Sequence, residues 1–257
     1  MTVAEIREKY PYLYETHLHT SQASACARST GREMARAHKE AGYTGIFVTD
    51  HNWGGNTCVD RSLPWEEWVT QFFAGYREAA EEGAKIGLQV FPAYEAGYHG
   101  PEFLIYGIDE EKMKRHPELK EATVSEQLSI VHGEGGMVIQ AHPFREEWYI
   151  EKVELYPEDV DGCEAVNATH SNPKSQSHND PAFDDRAIAY AKEHNFPTTA
   201  GSDVHSVNVF GGGMAFKTKI ESVEDFINRV LGREDYVLTN GVKWYTPAGD
   251  VIAEELM

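Results

Sequence analysis

His17-Leu18-His19, Thr49-Asp50-His51, Glu95, His142-Pro143-Phe144-Arg145 and Asp203-Val204-His205 each stand at or just past the end of a short apolar run. Imidazole nitrogens and carboxylate oxygens are the donors that suit divalent zinc, manganese or iron. Side chains alternate with period two on an extended segment, so His17 and His19 face one side and a single strand end offers two ligands. Asp203 and His205 repeat that spacing after Gly201-Ser202, small residues that permit a tight turn beside a site. A lone His-x-His also arises by chance among exposed polar residues; the repetition at successive strand ends is what points to a metal. Glu95 is the one carboxylate at its strand end, which suits a bridge between two cations. His142 precedes Pro143, which predicts extended backbone there and a side chain projecting from the strand. His170 stands several residues beyond its run and reads either as a ligand or as a hydrogen-bonded structural histidine. Arg145 and Arg28 could each fork two phosphate oxygens, or lie on the surface.

The elements that must carry these groups are short buried runs: Tyr12-Leu13-Tyr14, Gly45-Ile46-Phe47-Val48, Leu88-Gln89-Val90-Phe91, Met137 to Ala141 and Pro197 to Gly201. Such continuous runs predict parallel strands buried on both faces. Weaker candidates at 103–107, 162–166 and 236–239 bring the number to seven or eight. Between them, Thr30 to Glu33 and Thr123 to Glu126 read as capping boxes opening helices. Further helices are expected from Pro64 through Trp68, Phe72, Phe73 and Tyr76, around Phe183 to Ala191, and from Ser222 with Phe226, Val230 and Leu231 on the apolar side. The alternation of strand and helix predicts an α/β barrel, a single domain over residues 1–257 with its core at about 12–231. Asn240-Gly241 predicts a small C-terminal hairpin over about 236–246. The Gly-rich stretch from Asn52 to Cys58 reads as a rim loop or lid. Trp53 and Trp65 could stack on a base or pack as core.

The net charge of −19, from 42 acidic and 23 basic residues, repels a phosphate backbone and argues against a nucleic-acid polymer as partner. Small, metal-masked anions remain candidate substrates. Cys26, Cys58 and Cys163 lack the close pairing of a zinc ribbon or redox motif, and the opening Met-Thr-Val-Ala-Glu has no basic, apolar signal region; together they predict a reducing cytoplasm. The apolar runs fall far short of the ~20 residues a membrane-spanning helix needs, so no membrane partner is expected. His38, His132 and His194 in helix-like segments, and His116 in a charged stretch, are expected on the surface. His99 and His178 lie in loops that could reach a substrate.

His17-Leu18-His19-Thr20, Thr49-Asp50-His51-Asn52, Glu95, Ala141-His142-Pro143-Phe144-Arg145 and Gly201-Ser202-Asp203-Val204-His205, in this order, resemble the PHP (polymerase and histidinol phosphatase) family of metal-dependent phosphoesterases. The resemblance spans about residues 12 to 231 and implies a distorted (β/α)7 barrel with a two- or three-metal centre at the carboxyl ends of the strands. It implies that His17, His19, Glu95 and Asp203 hold a first cation, and that Glu95, His142 and His170 hold a second. The family's third cation uses a His or Asp shortly after His-x-His, with the counterparts of His51 and His205. Here Ser24 and Ala25 stand in that place, so His51 and His205 either share a weak third cation or serve as phosphate-binding and proton-transferring groups. Asn52 and the two arginines, Arg28 and Arg145, are the expected substrate contacts.

The chemistry this implies is hydrolysis of a small phosphate ester: two or three divalent cations (Mn, Zn or Fe) lower the pKa of a shared water and clamp the phosphoryl oxygens. A phosphomonoester, such as histidinol phosphate or a sugar or nucleotide phosphate, and a small nucleotide diester both fit. His205 or His51 is the expected proton donor to the leaving alkoxide. Two rivals stand beside it. An amidohydrolase-type metal hydrolase also joins His-x-His to later histidines and an aspartate, but its common bridging lysine has no obvious place here. A non-catalytic metal- or nucleotide-binding regulatory module would retain the ligands without turnover.

Overall fold

The computed structural model describes residues 1–98 and 100–255. Eleven strands among them form one sheet in the order β11-β10-β9-β8-β1-β2-β3-β4-β5-β6-β7. These are β1 (Tyr12–Glu15), β2 (Gly45–Val48), β3 (Gln89–Gly97), β4 (Glu102–Tyr106), β5 (Met137–Ala141), β6 (Gly162–Asn167), β7 (Thr198–Gly201), β8 (Gly212–Phe216), β9 (Tyr236–Asn240), β10 (Lys243–Tyr245) and β11 (Val251–Glu254). The helices are α1 (Val3–Lys9), α2 (Gly31–Glu40), α3 (Trp65–Phe72), α4 (Ala74–Ile86), α5 (Glu110–Lys114), α6 (Val124–Gly133), α7 (Ala168–Ser171), α8 (Ala182–His194) and α9 (Val223–Gly232).

The expected buried runs are strands, and β1-β2, β2-β3, β5-β6 and β6-β7 pair in parallel. The sheet is nevertheless mixed, where the sequence predicted seven or eight parallel strands. β4 runs antiparallel to both β3 and β5. Its cause is length: the few residues between Gly97 and Glu102 allow a hairpin, whereas a parallel return needs a crossover of a dozen or so. β8, unforeseen in a Gly-rich stretch, pairs antiparallel with β1. Gly213 sits there at φ +132, where a Cβ would lie 2.2 Å from the Tyr14 carbonyl oxygen, so only glycine fits. The Asn240-Gly241 hairpin joins β9 to β10, but it is no appendage: β9 pairs with β8 and β11 adds a further strand.

Helix starts follow the caps. Thr30 accepts from the Glu33 N–H at 3.3 Å while Glu33 accepts from the Thr30 N–H, and Thr123 with Glu126 does the same. The single helix expected from Pro64 to Tyr76 is two, broken at Phe73. Leu231, expected on the apolar side of α9, is exposed. Trp65 and Trp68 pack as core beside Phe72, with Trp53 against them, which removes them as base-stacking platforms. No helix among the described residues is long and apolar enough to cross a membrane.

One consequence of the sheet's curl places the site. Beyond the last residues of β1 and β7 the chain continues into a parallel bridge, Leu18 opposite Val204, with the His19 N–H donating to the Val204 carbonyl at 2.9 Å. The Ser202 N–H donates to Glu15 Oε1 at 2.8 Å, and the Thr16 hydroxyl to the Ala200 carbonyl at 2.6 Å. Gly201 makes this approach possible, because a Cβ there would meet the His17 Cβ at 2.4 Å.

Candidate metal centre

The histidines and acids from separate strand ends converge. His17, Glu95 and His142 present ligand atoms within 4.8 Å of one another, and so do His17, His19 and Asp203; His19, His51 and His205; and His51, Glu95 and Glu102. Glu95 is the hub. Its Oε1 lies 3.3 Å from His17 Nε2 and 3.1 Å from His142 Nε2, and its Oε2 lies 2.9 Å from His51 Nδ1 and 3.5 Å from His19 Nε2. Asp203 Oδ1 is 3.4 Å from His17 Nε2 and 3.2 Å from His19 Nε2. The His19 ring stacks on those of His51 and His205 at centroid distances of 4.4 and 4.3 Å.

Carboxylates behind the ligands fix their tautomers. His17 Nδ1 donates to Glu164 Oε1 at 3.0 Å, which turns the Nε2 lone pair toward the centre. Ser24 Oγ donates to Asp50 Oδ1 at 2.6 Å and lies 3.2 Å from His19 Nδ1, so His19 too offers Nε2. Among the described residues His17 Nε2, His19 Nε2, His51 Nδ1 and Glu95 Oε2 are buried without a hydrogen-bond partner. Each such orphan costs about 1–3 kcal/mol, and a cluster of nitrogen and carboxylate orphans aimed at one point is what a divalent cation satisfies. The residues therefore fit the ions implied by the resemblance.

The electrostatics agree. Burial alone would suppress the His17 imidazolium, but Asp203, Glu164 and Glu95 outweigh it and hold its pKa well above the usual histidine value. His19 goes the other way, lowered by burial and by His205 and His51. Glu95 and Asp203, against the pull of burial, are held far below the carboxylate range by the surrounding histidines and, for Asp203, by Arg145. Glu102 is raised by burial and by the charge of Glu95.

The profile of the family described as PHP-associated (PHP_C) matches residues 182–234. That match is confined to the stretch from α8 to α9. Among solved structures, it is similar to a two-domain protein from Bacteroides vulgatus containing a predicted PHP-like metal-dependent phosphoesterase, with 12% identity and a TM-score of 0.63 over 89% of this chain. That alignment covers 64% of the Bacteroides protein, so this chain spans less than two thirds of that neighbour's length. A metal-dependent phosphoesterase described as putative, from Bifidobacterium adolescentis, matches at 16% identity and TM-score 0.50 over 75% of this chain and 87% of its own. An amidohydrolase from Chromobacterium violaceum matches at 15% identity and TM-score 0.52 over the same shares. At these identities the likeness establishes the fold, a mixed α/β architecture with a curled sheet. No curated protein matches the chain.

The expected ligands His17, His19, His51, Glu95, His142, Asp203 and His205 come together, and His170 does not join them. The Arg145 Nε–H donates to His170 Nε2 at 3.1 Å, and a guanidinium can only donate, so the His170 proton sits on Nδ1, 2.8 Å from Asp184 Oδ1. Arg145 also donates from Nη2 to Asp203 Oδ2 at 2.5 Å. It is buried, whereas Arg28 is exposed at the rim with its backbone N–H on the His205 carbonyl. Asn52 is buried, and its Oδ1 accepts from the Gly54 N–H, pinning the loop expected to be a lid. His142 is not extended: its φ is +28, and Asp203 stands at +51. Two candidate ligands thus carry backbone strain that the surrounding bridge and sheet must hold. His178 pairs with Glu147, and His99 lies outside the described residues. His38, expected on the surface, is fully buried with Nδ1 on the Met34 carbonyl.

Three contributors were missed. Glu102 escaped because only carboxyl ends of strands were read, whereas antiparallel β4 brings its first residue to the same rim, opposite Ala141. Glu164 did leave a signal: an acid inside the fully buried run of β6 demands a partner. Asp184 lay hidden in a helix.

Proposed function

We propose that this chain is a metal-dependent hydrolase of small phosphate esters. The reading is carried by one observation, the orphaned and buried nitrogens of His17 and His19 gathered with Glu95 and Asp203 around a common point. Here His17, His19, Glu95 and Asp203 would hold one cation, and Glu95, Glu102 and His142 a second. Bound there, divalent ions supply Lewis-acid activation of water and neutralise charge on the phosphoryl oxygens.

The chain's own residues do the rest. Arg145, held by Asp203 and His170, spends two of its five N–H donors on them and is positioned to fork phosphoryl oxygens with the others. Glu164 and Asp184 orient His17 and His170. The His205 Nδ1–H donates to the Asp203 carbonyl at 2.9 Å, which leaves Nε2 able to protonate a leaving alkoxide wherever no cation holds it. His51 shares that outer position. Beside His142 and Arg145, Ile150, Lys152 and Val153 line a small cleft that could take the part of the substrate beyond the phosphate. The acidic surface and this small setting suit a phosphomonoester or a small nucleotide diester, with nucleic-acid polymers and membranes outside the reading.

The test is to load metal-stripped protein with manganese, zinc or iron and assay phosphomonoesters, phosphodiesters and amides beside Asp203→Asn. Phosphate release that depends on metal and vanishes in the variant is expected. Selective amide cleavage would move the assignment to the amidohydrolase class of the Chromobacterium neighbour; ligand binding without turnover would make the chain a regulatory module.

A further inference from the structure

The turn joining β9 to β10 is separated in sequence from every candidate ligand, yet an unbroken chain of hydrogen bonds ties it to Arg145. Asn240 is buried at its start. Its Oδ1 accepts from the Val242 N–H at 3.0 Å and the Lys243 N–H at 2.7 Å, which closes the turn. Its Nδ2 donates the other way, to Ser171 Oγ at 2.9 Å and the Ser171 carbonyl at 3.2 Å. The Ser171 hydroxyl donates onward to Asp184 Oδ2 at 2.6 Å. Asp184 Oδ1 accepts from the His170 Nδ1–H at 2.8 Å, and His170 Nε2 accepts from the Arg145 Nε–H at 3.1 Å.

The direction of every link is forced. Guanidinium and side-chain amide nitrogens only donate, so His170 carries its proton on Nδ1 and Asp184 must accept it. Serine has one hydroxyl proton, and with Asn240 donating to its oxygen that proton goes to Asp184. Asp184, His170 and Arg145 are all buried, so water does not compete for these bonds and each polarises the next. A second tie runs beside the first: Asn172 Nδ2 donates to the Asn240 carbonyl at 2.8 Å and the Phe210 carbonyl at 3.1 Å. At Gly241, φ +88, a Cβ would lie 2.1 Å from the Phe210 carbonyl oxygen, so glycine is what lets the turn come this close. An Asn-Gly turn closes a hairpin without any of these outside contacts.

We propose that Asn240 is a positioning residue for phosphoryl binding, holding the Arg145 guanidinium in place through Ser171, Asp184 and His170. The guanidinium is then gripped on two sides, at Nε by His170 and at Nη2 by Asp203, with its other N–H donors left to fork phosphoryl oxygens. His170, its Nε2 lone pair taken by Arg145, acts as a link in this chain and not as a cation ligand. The C-terminal strands thereby become part of the substrate site.

This rests on the reading of Arg145 as a phosphoryl contact, and calorimetric binding of inorganic phosphate to the metal-loaded chain tests the two apart. Asn240→Asp keeps an oxygen on the Val242 and Lys243 amides but loses the donor to Ser171; Ser171→Ala cuts the next link without touching the hairpin. Each is expected to weaken phosphate binding and raise KM by about three- to tenfold, the worth of one hydrogen bond, with kcat and metal content unchanged, and Ser171→Thr should restore both. In an Arg145→Lys background neither change should weaken phosphate binding further. Unchanged phosphate affinity in Ser171→Ala, the same loss in the Arg145→Lys background, or loss of bound metal would overturn the proposal alone. Unchanged affinity in Arg145→Lys itself would overturn the phosphoryl role of Arg145 as well.

Discussion

The inner and outer halves of the centre are built from the same residue types and supported in opposite ways. Inside, His17 is backed by Glu164, Asp203 is gripped by Arg145, and Glu95 is shared among four histidines, all nearly or fully buried. Outside, His205 is backed by a backbone carbonyl and leaves 31% of its side chain exposed. Carboxylate backing fixes ring orientation and raises ligand basicity, whereas a carbonyl and solvent do less. The difference teaches that ligand type alone does not set affinity here: the inner position should hold its ion tightly and the outer one exchange it.

The largest expected effect tests the inner half. Asp203→Asn keeps volume but removes a charge from the ion, and kcat/KM for metal-dependent phosphate release should fall by about 10³-fold, about 4 kcal/mol, with the inner ion lost by metal analysis. Next, Glu164→Gln should weaken inner metal affinity by about 10–100-fold while the outer ion is unaffected; equal weakening of both, read by competition with a chelator, would erase the distinction. Arg145→Lys keeps the charge but loses the fork between His170 and Asp203, and should raise KM by about tenfold with metal content unchanged. His205→Ala should slow turnover through the lost proton donor and release any outer ion, with the inner ion retained by metal analysis.

The smallest effect contrasts the rim with a histidine away from it. Burial lowers the His38 pKa from 6.5 to about 4, so its contribution is complete above pH 6.5 and is lost as pH falls from 6.5 toward 4. Glu15, 4.0 Å away and lifted by burial to about 7, runs oppositely, favouring the fold in acid and losing that contribution as pH rises through about 7. His38→Gln should therefore reduce the stability loss between pH 7 and pH 5 by about 1–2 kcal/mol in denaturant titrations.

The candidate ligands that converge were legible in the sequence because several parallel strands end an apolar run and then break into His, Asp or Glu. What was not legible required three dimensions. Glu102 needed the direction of β4, and the capture of His170 by Arg145 needed two strand ends side by side. β8 went unseen because glycines chosen for close backbone approach look, in one dimension, like a loop. His38 illustrates the converse: a polar residue on a helix reads as solvated until the Met34 carbonyl beside it is known.

The bridge between Leu18 and Val204 joins segments that are distant along the chain, while Glu95, Glu102 and His142 lie on the three consecutive strands or strand ends of one meander. Contacts between sequence neighbours form early, and those that close long loops form late. A cation on the meander could thus bind a partly folded chain, but the one shared by His17, His19 and Asp203 can bind only when both ends have met. That ion would act as a rivet. It should slow unfolding more than it speeds folding, and its removal should first loosen the seam where the chain's beginning meets its end.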